Sequence, residues 1–333
     1  MLRLATALIL LLPIQILPTT ARAETSEIRI TKQPGIIYLA PIVMEQQQLI
    51  EKAGAKLGVP DLKAKWITFG GGGAAIDALL SGNVDIVTTG ASNMLLAWDR
   101  TKGQVKGLAG SSATPMWFVS SNPDVKTLRD LKPTDKIAVP TVKISSQAII
   151  LQIAARQLYG DANFDHFDMM TMTLSHPDAQ AQLTSGRGGG LTGHFSGAPY
   201  QAAEAKAQGL HVVTTSDDIL GAKYSNAVYF AATKFHDANP LAIKAFMQAA
   251  QDAADYIVAH PREACELYLT VTGEKTPVDV LLTQIGDPAR NFSTAPFGMM
   301  RIANHMADTK VLKSRPATWH DFFFPEAYAL DGN

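Results

Sequence analysis

Apolar and polar positions along the chain switch between two periods. Glu27-Ile28-Arg29-Ile30-Thr31 alternates as a strand does, whereas Leu39 to Leu57 repeats its apolar residues at helical spacing and stops at Gly58-Val59-Pro60. Ala64 to Phe69 predicts a second strand, Gly70 to Gly73 a turn, and Ala74 to Ser81 a short helix ended by Gly82. Val84 to Thr88 then reads as a third strand and Ala91 to Arg100 as another helix. Such alternation predicts an α/β fold with a mainly parallel sheet and helices on both faces.

The pattern is then repeated. Residues 136–139 predict a strand, Ile144 to Tyr159 a helix, Phe167 to Thr173 a strand, Ala179 to Thr184 a helix and Gly190 to His194 a strand. Sliding one copy by 104 residues superposes Leu79 on Leu183, Ser81-Gly82 on Ser185-Gly186, Thr88 on Thr192 and Ser92 on Ser196. Two lobes of like architecture follow. Beyond them Val228 to Ala232 reads as a strand, and Pro240 to Ala259, Pro261 to Thr270, Pro277 to Ile285 and Gly298 to Leu312 read as helices. The simplest arrangement crosses between lobes near Trp117-Phe118-Val119 and returns near Tyr229. Lobe 1 is then residues 24–116 plus 227–333, covered by the C-terminal helices, and lobe 2 is residues 117–226. Two crossings make a hinge and leave a cleft.

The N-terminus adds a compartment. Arg3 precedes an apolar run from Leu4 to Leu17, broken by Pro13 and closed by Ala21-Arg22-Ala23. This predicts a secretory signal over residues 1–23, cleaved before Glu24. No cysteine follows the run, which argues against a lipid anchor, and no later stretch approaches about 18 uninterrupted apolar residues. Losing Arg3 and Arg22 takes the formal charge from −1 to −3. With no Lys or Arg run and no basic-aromatic interleaving, a nucleic-acid role is unsupported.

Candidate chemistry is sparse. The one cysteine, Cys265, lies near the apolar face of a helix and reads as a buried structural thiol. None of the eight histidines forms a ligand pair at helical or hairpin spacing, so no metal or cofactor is expected. Met169-Met170-Thr171-Met172 reads as core packing in an alternating strand rather than a copper site. No G-x-S-x-G, H-E-x-x-H or local Ser/His/Asp grouping points to an enzyme.

The Gly-rich turn before Ala75-Ile76-Asp77-Ala78-Leu79-Leu80-Ser81-Gly82-Asn83-Val84-Asp85-Ile86, and His194-Phe195-Ser196-Gly197-Ala198-Pro199-Tyr200, resemble the nitrate/sulfonate/taurine-type ABC substrate-binding proteins, the SsuA/THI5-like or NMT1-like group. Asn239-Pro240 opening a long helix and Trp319 to Glu326 near the end resemble one branch of it. The run Arg187-Gly188-Gly189-Gly190 is richer in glycine than the group's strand entry at this place. The resemblance implies a type II periplasmic-binding-protein fold, with a small-molecule solute held in the cleft and released to an ABC permease; a secreted sensor or chaperone domain that binds the same solute and docks on a receptor is the alternative, which the sequence does not separate from it. It also implies a periplasmic monomer without turnover, since the group's pyrimidine synthases carry a Cys-rich iron motif absent here.

In open parallel sheets ligands gather at the carboxyl ends of strands. Six segments qualify: Gln33 to Tyr38, Gly70 to Gly73, Thr89 to Asn93, Thr141 to Gln147, Leu174 to His176, and His194 to Gly197. From these and the return crossing, the candidate ligand-binding residues are Pro34, Gly35, Tyr38, Gly70, Gly71, Gly72, Thr89, Gly90, Ser92, Thr141, Ser145, Ser146, His194, Phe195, Ser196 and Tyr224. The glycine turn offers bare backbone amides at a helix start, which favour an anion, and it is equally an ordinary tight turn. Ser92, Ser145 and Ser146 stand where helix caps stand, and capping is compatible with binding. His194 falls at the position of Gly90 in the first copy, to donate to a solute oxygen or to bond a neighbouring loop. Phe195, Tyr38 and Tyr224 suit either an apolar wall or lobe packing. Lys143, Lys223 and His194 are the candidate positive groups, and so few charges favour a monoanion or a neutral heterocycle.

Overall fold

A computed structural model describes residues 24–185 and 190–333, so the predicted signal and the core of the Arg187-Gly188-Gly189 run lie outside the described residues. Ten strands form two five-stranded sheets. The first contains β1 (Glu27–Lys32), β2 (Lys63–Thr68), β3 (Ile86–Thr89), β4 (Val105–Ser112) and β10 (Ala227–Ala232), ordered β2-β1-β3-β10-β4. The second contains β5 (Trp117–Ser120), β6 (Ile137–Val139), β7 (Thr171–Thr173), β8 (Gly193–Ser196) and β9 (His211–Thr215), ordered β7-β6-β8-β5-β9. In each sheet the first three strands run parallel and the fourth is antiparallel. That antiparallel strand enters directly from the other sheet: β5 follows β4, and β10 follows β9.

The sequence pattern explains the layers. β3, β6 and β8 are buried throughout, as strands covered on both faces must be, whereas the edge strand β2 alternates exposure along Lys63-Ala64-Lys65-Trp66. The first sheet buries Ile28 and Ile30 against the helices Leu39–Gln46, Leu49–Lys56, Pro240–Ala259 and Pro261–Thr272. Cys265 is buried in that layer, which pushes its thiol up to about 12.

Several elements differ from the expectation. The predicted Leu39–Leu57 helix is two helices, because Gln48 adopts a left-handed conformation (φ 52°) between them. β4 and β9 were not anticipated, and the strand expected over Phe167–Thr173 is reduced to β7 behind a 3-10 turn at Asp168–Met170. Consequently Met170 is buried while Met169 and Met172 face solvent, so only one of the three methionines packs in the core. The helix Met299–Asp308 does not serve the first sheet alone. It packs on both Ala91–Arg100 and Ser146–Tyr159, the helices that follow β3 and β6. Arg156 donates to Asp308 (2.9 Å) and His305 bonds Gln152 (3.2 Å) across that junction.

Candidate functional site

The carboxyl ends of β1, β2 and β3 face those of β6, β7 and β8. Their loops, together with Met116 and Asn226 from the two connecting segments, enclose a cavity of about 400 Å³. Helices Gly72–Leu80, Ala91–Arg100, Ser146–Tyr159 and His176–Thr184 begin at this cavity, so their unpaired N–H groups converge on it.

Ten of the sixteen candidate residues line the cavity: Pro34, Tyr38, Gly70, Gly71, Gly72, Thr89, Gly90, Thr141, Ser145 and Ser146. Gly72 is closely packed: a Cβ there would stand 2.1 Å from Asn93 Nδ2 and 2.5 Å from Thr89 Oγ1, so both side chains would have to move aside. Thr89 in turn accepts from Asn93 Nδ2 (3.2 Å), which ties the glycine turn to the end of β3. Ser145 caps its helix by accepting from the Ala148 amide (3.3 Å), leaving the hydroxyl hydrogen to donate into the cavity.

The other six lie outside the lining. Gly35 (φ 118°) takes a conformation that favours glycine, where a Cβ would stand 3.1 Å from the Ala198 carbonyl of the opposite lobe. Ser92 and Tyr224 stand behind Ser146 and bond its hydroxyl at 3.3 and 3.1 Å. Phe195 packs edge-on against Phe118 (6.2 Å) in the core, and Ser196 is fully buried with its hydroxyl donating to Gly197 O (3.5 Å). His194 is fully buried too, bonded to Glu204 (2.7 Å) on one side and His176 (2.8 Å) on the other.

Register explains the displacement of His194. Ile30 pairs with Ile86 in the first sheet and Ile137 with Gly193 in the second, so these strands correspond at an offset of 107 residues. Helices Gly72–Leu80 and His176–Thr184 correspond at 104. Three extra residues therefore separate helix from strand in the second copy, between Thr184 and Gly193. They move His194 back into the strand and put Gly197 opposite Gly90.

His176 takes the cavity position instead, with Gln147, Tyr200 and Asn93. Its ring stacks on Tyr200 (5.8 Å between centroids), and burial next to His194 pushes its pKa down to about 3. Burial raises Tyr200 to about 12 and lifts Tyr38 well above its usual range, so both phenols stay protonated. Asn226 donates to Thr114 O (2.6 Å) and keeps its own buried Oδ1 unpaired. Among the described residues lining the cavity there is no Lys, Arg, Asp or Glu. Lys143 and Lys223 stand outside the lining, the latter with its ammonium over the Phe297 ring (3.5 Å). Among the described residues no group of three or more His, Cys, Asp or Glu is placed to hold a metal ion.

Asn93, Gln147 and His176 fall in segments marked by the sequence pattern. Met116 and Asn226 do not, since they stand just before the crossing strands, where strand-end reasoning does not reach. Tyr200 was signalled only by its place in the Phe195-Ser196-Gly197-Ala198-Pro199-Tyr200 run.

Two sheet-and-helix lobes closing a cavity without a charged carboxylate, lysine or arginine among its described lining residues, at their strand ends, have the fold of the periplasmic binding proteins. The chain is similar to the alkanesulfonate-binding protein SsuA from Xanthomonas axonopodis pv. citri bound to MOPS, with a TM-score of 0.70 and 16% identity over 88% of this chain and 96% of that one. It is similar to the periplasmic aliphatic sulphonate binding protein SsuA from Escherichia coli, with a TM-score of 0.69 and 19% identity over 90% and 92%. It is also similar to the periplasmic nitrate-binding protein NrtA from Synechocystis PCC 6803, with a TM-score of 0.58 and 14% identity over 77% and 69%. Residues 61–264 match the NMT1/THI5-like family, and the chain belongs to it. No curated protein matches its sequence.

Proposed function

We propose that this protein is the periplasmic solute-binding component of an ABC-type importer, working as a monomer without turnover and secreted by cleavage after Ala23. The observation that carries the reading is the cavity of about 400 Å³ built from the strand ends of both lobes, a size suited to one small organic molecule. Residues 24–116 with 227–333 and residues 117–226 act as two bodies joined by the segments before β5 and β10. A solute that touches both bodies favours the closed arrangement, since only there does it gain both sets of contacts. The closed form then delivers it to a permease.

Pro34, Tyr38, Gly70, Gly71, Gly72, Thr89, Gly90, Thr141, Ser145 and Ser146 contact the solute in this reading. Gly35, Ser92, His194, Phe195, Ser196 and Tyr224 hold those residues in place. The solute is neutral or singly charged, of the sulfonate, taurine, nitrate, carboxylate or pyrimidine class, because no side-chain cation awaits it among the described lining residues. The test is a panel of these solutes followed by thermal melting and small-angle scattering. One class is expected to raise the melting temperature and compact the protein; a panel that moves neither quantity refutes the assignment.

A further inference from the structure

A relay of buried and half-buried polar groups leads out of the second lobe into the cavity and has no counterpart in the first among the described residues. It starts at Glu204, which is fully buried and has one carboxylate oxygen, Oε2, without a partner. Glu204 Oε1 lies 2.7 Å from His194 Nδ1, His194 Nε2 lies 2.8 Å from His176 Nδ1, and His176 Nε2 lies 3.3 Å from Gln147 Nε2.

Each of these contacts needs one donor and one acceptor, and the last fixes the rest. An amide nitrogen only donates, so His176 Nε2 accepts from Gln147 and carries no proton. The proton of neutral His176 is then on Nδ1 and is donated to His194 Nε2. His194 in turn carries its proton on Nδ1 and donates it to Glu204. A carboxylate that orients a histidine in this way also selects its tautomer. The whole relay points its protons toward Glu204 and leaves at the cavity wall an acceptor nitrogen whose donor is the Gln147 amide, at 3.3 Å.

Two further observations agree. His176, packed between His194 and Tyr200, is held neutral by burial, its pKa pushed down to about 3. Gly197 keeps the space over that nitrogen open, since a Cβ there would lie 3.3 Å from His176 Nε2. Among the described residues Glu204 pairs with His194 and with no lysine or arginine.

We propose that His176 Nε2 is a fixed hydrogen-bond acceptor that makes the protein select a solute with an N–H or O–H donor and reject an all-acceptor oxyanion head group at this end of the cavity. This rests on the solute-binding function proposed above and narrows its ligand. A sulfonate or nitrate oxygen set against His176 would meet a lone pair with a carboxylate behind it. An amide, amine or hydroxyl would take the place of the Gln147 amide on that lone pair. Elsewhere in the lining the glycine-turn amides and the Ser145 hydroxyl supply donors, so the solute that fits carries both a donor and an acceptor.

Long-range proton–nitrogen correlation on ¹⁵N-histidine protein at neutral pH reads the tautomer directly, with His176→Gln and His194→Gln used to assign the signals. His176 is expected to carry its proton on Nδ1; a proton on Nε2, or an imidazolium, overturns the proposal. Calorimetry on matched probes, benzamide against benzoate and methanesulfonamide against methanesulfonate, is expected to favour the amide of each pair by about tenfold or more. Tighter binding of the oxyanion members overturns it. Glu204→Gln removes the charge that orders the relay and should shrink that preference to below about threefold; an unchanged preference refutes the role of Glu204, and should the variant not fold, the wild-type spectrum still decides. Failure of every solute and every probe to bind counts against the solute-binding function, whereas a reversed tautomer or preference counts against this inference alone.

Discussion

Gly90 ends β3 directly opposite the start of the helix Ser146–Tyr159, and its backbone (φ −59°, ψ 144°) suits alanine as well as glycine. Gly90→Ala therefore leaves the first lobe unstrained. With the lobes together, however, the new Cβ stands 2.8 Å from Ser146 Oγ, inside contact distance. Ser146 must turn away and abandon its bonds to Ser92 (3.3 Å) and Tyr224 (3.1 Å). At about 0.5–1.5 kcal/mol each, the closed arrangement loses about 1–3 kcal/mol, which weakens solute binding by about 5- to 150-fold. With the lobes apart the methyl group keeps an ordinary contact with Asn93 Nδ2 (3.8 Å) and no clash, so the melting temperature of the solute-free protein should stay close to wild type or fall only slightly. The assay is calorimetry with the solute that accompanies the native protein through purification, identified by mass spectrometry, alongside small-angle scattering. Gly90→Ala with Ser146→Ala restores the room and should recover compaction, which makes a double-mutant cycle across the cleft. Unchanged affinity and scattering in the single variant would show that Gly90 and Ser146 do not meet in the bound form.

Further expectations concern stability. Gly72→Ala forces Asn93 and Thr89 aside within one lobe and should lower the urea midpoint by the equivalent of about 1–3 kcal/mol; an unchanged midpoint contradicts the packing of the glycine turn on β3. Glu24 accepts from the Leu241 and Ala242 amides (2.8 Å each) at the start of the helix Pro240–Ala259, so Glu24→Ala should cost about 1 kcal/mol in the same assay. Burial, with the Arg156 charge, pushes His305 from 6.5 down to about 4. The unfolded chain takes up that proton near 6.5 while the folded protein resists it, so stability is complete above about 6.5 and declines as pH falls toward 4. His176 acts in the same direction. Denaturation midpoints on either side of that window should show the decline, and His305→Gln should flatten it; a midpoint that rises on acidification refutes the assignment.

Most of the layer order was legible because it rests on period. β1 alternates, the helix Ala91–Arg100 begins and ends where its pattern does, and the antiparallel strands β5 and β10 fall at the two crossings read from Trp117 and Tyr229. β4 was not legible because Val105–Ser112 carries Gly107 and Gly110, which are poor strand formers in isolation. Here each makes room for a neighbour, Phe323 beside Gly107 and Ala295 beside Gly110. The site was legible wherever it depends on strand ends, as Thr89, Gly90 and Ser145 illustrate. It failed where the internal repeat was used as a ruler, because the spacing is 104 at the helix and 107 at the strand. That slip of three set His194 at the place Gly197 holds, whereas His194 stands one hydrogen bond away from the cavity. His176 was marked only as part of the strand end at Leu174 to His176, since the bonds that orient it come from Gln147 and His194, distant in sequence.

The helix Met299–Asp308 has a mechanical consequence. Because it is seated on the helices that follow β3 and β6 at once, it acts as a spine to which both covers of the molecule are bound. Separation in the proposed cycle is then a swing about that spine rather than a parallel withdrawal. Gly35 and Ala198, which face each other across the lobes, travel far, while Arg156 and Asp308 barely part. Probes placed at the first pair report the swing, and probes at the second mark its axis.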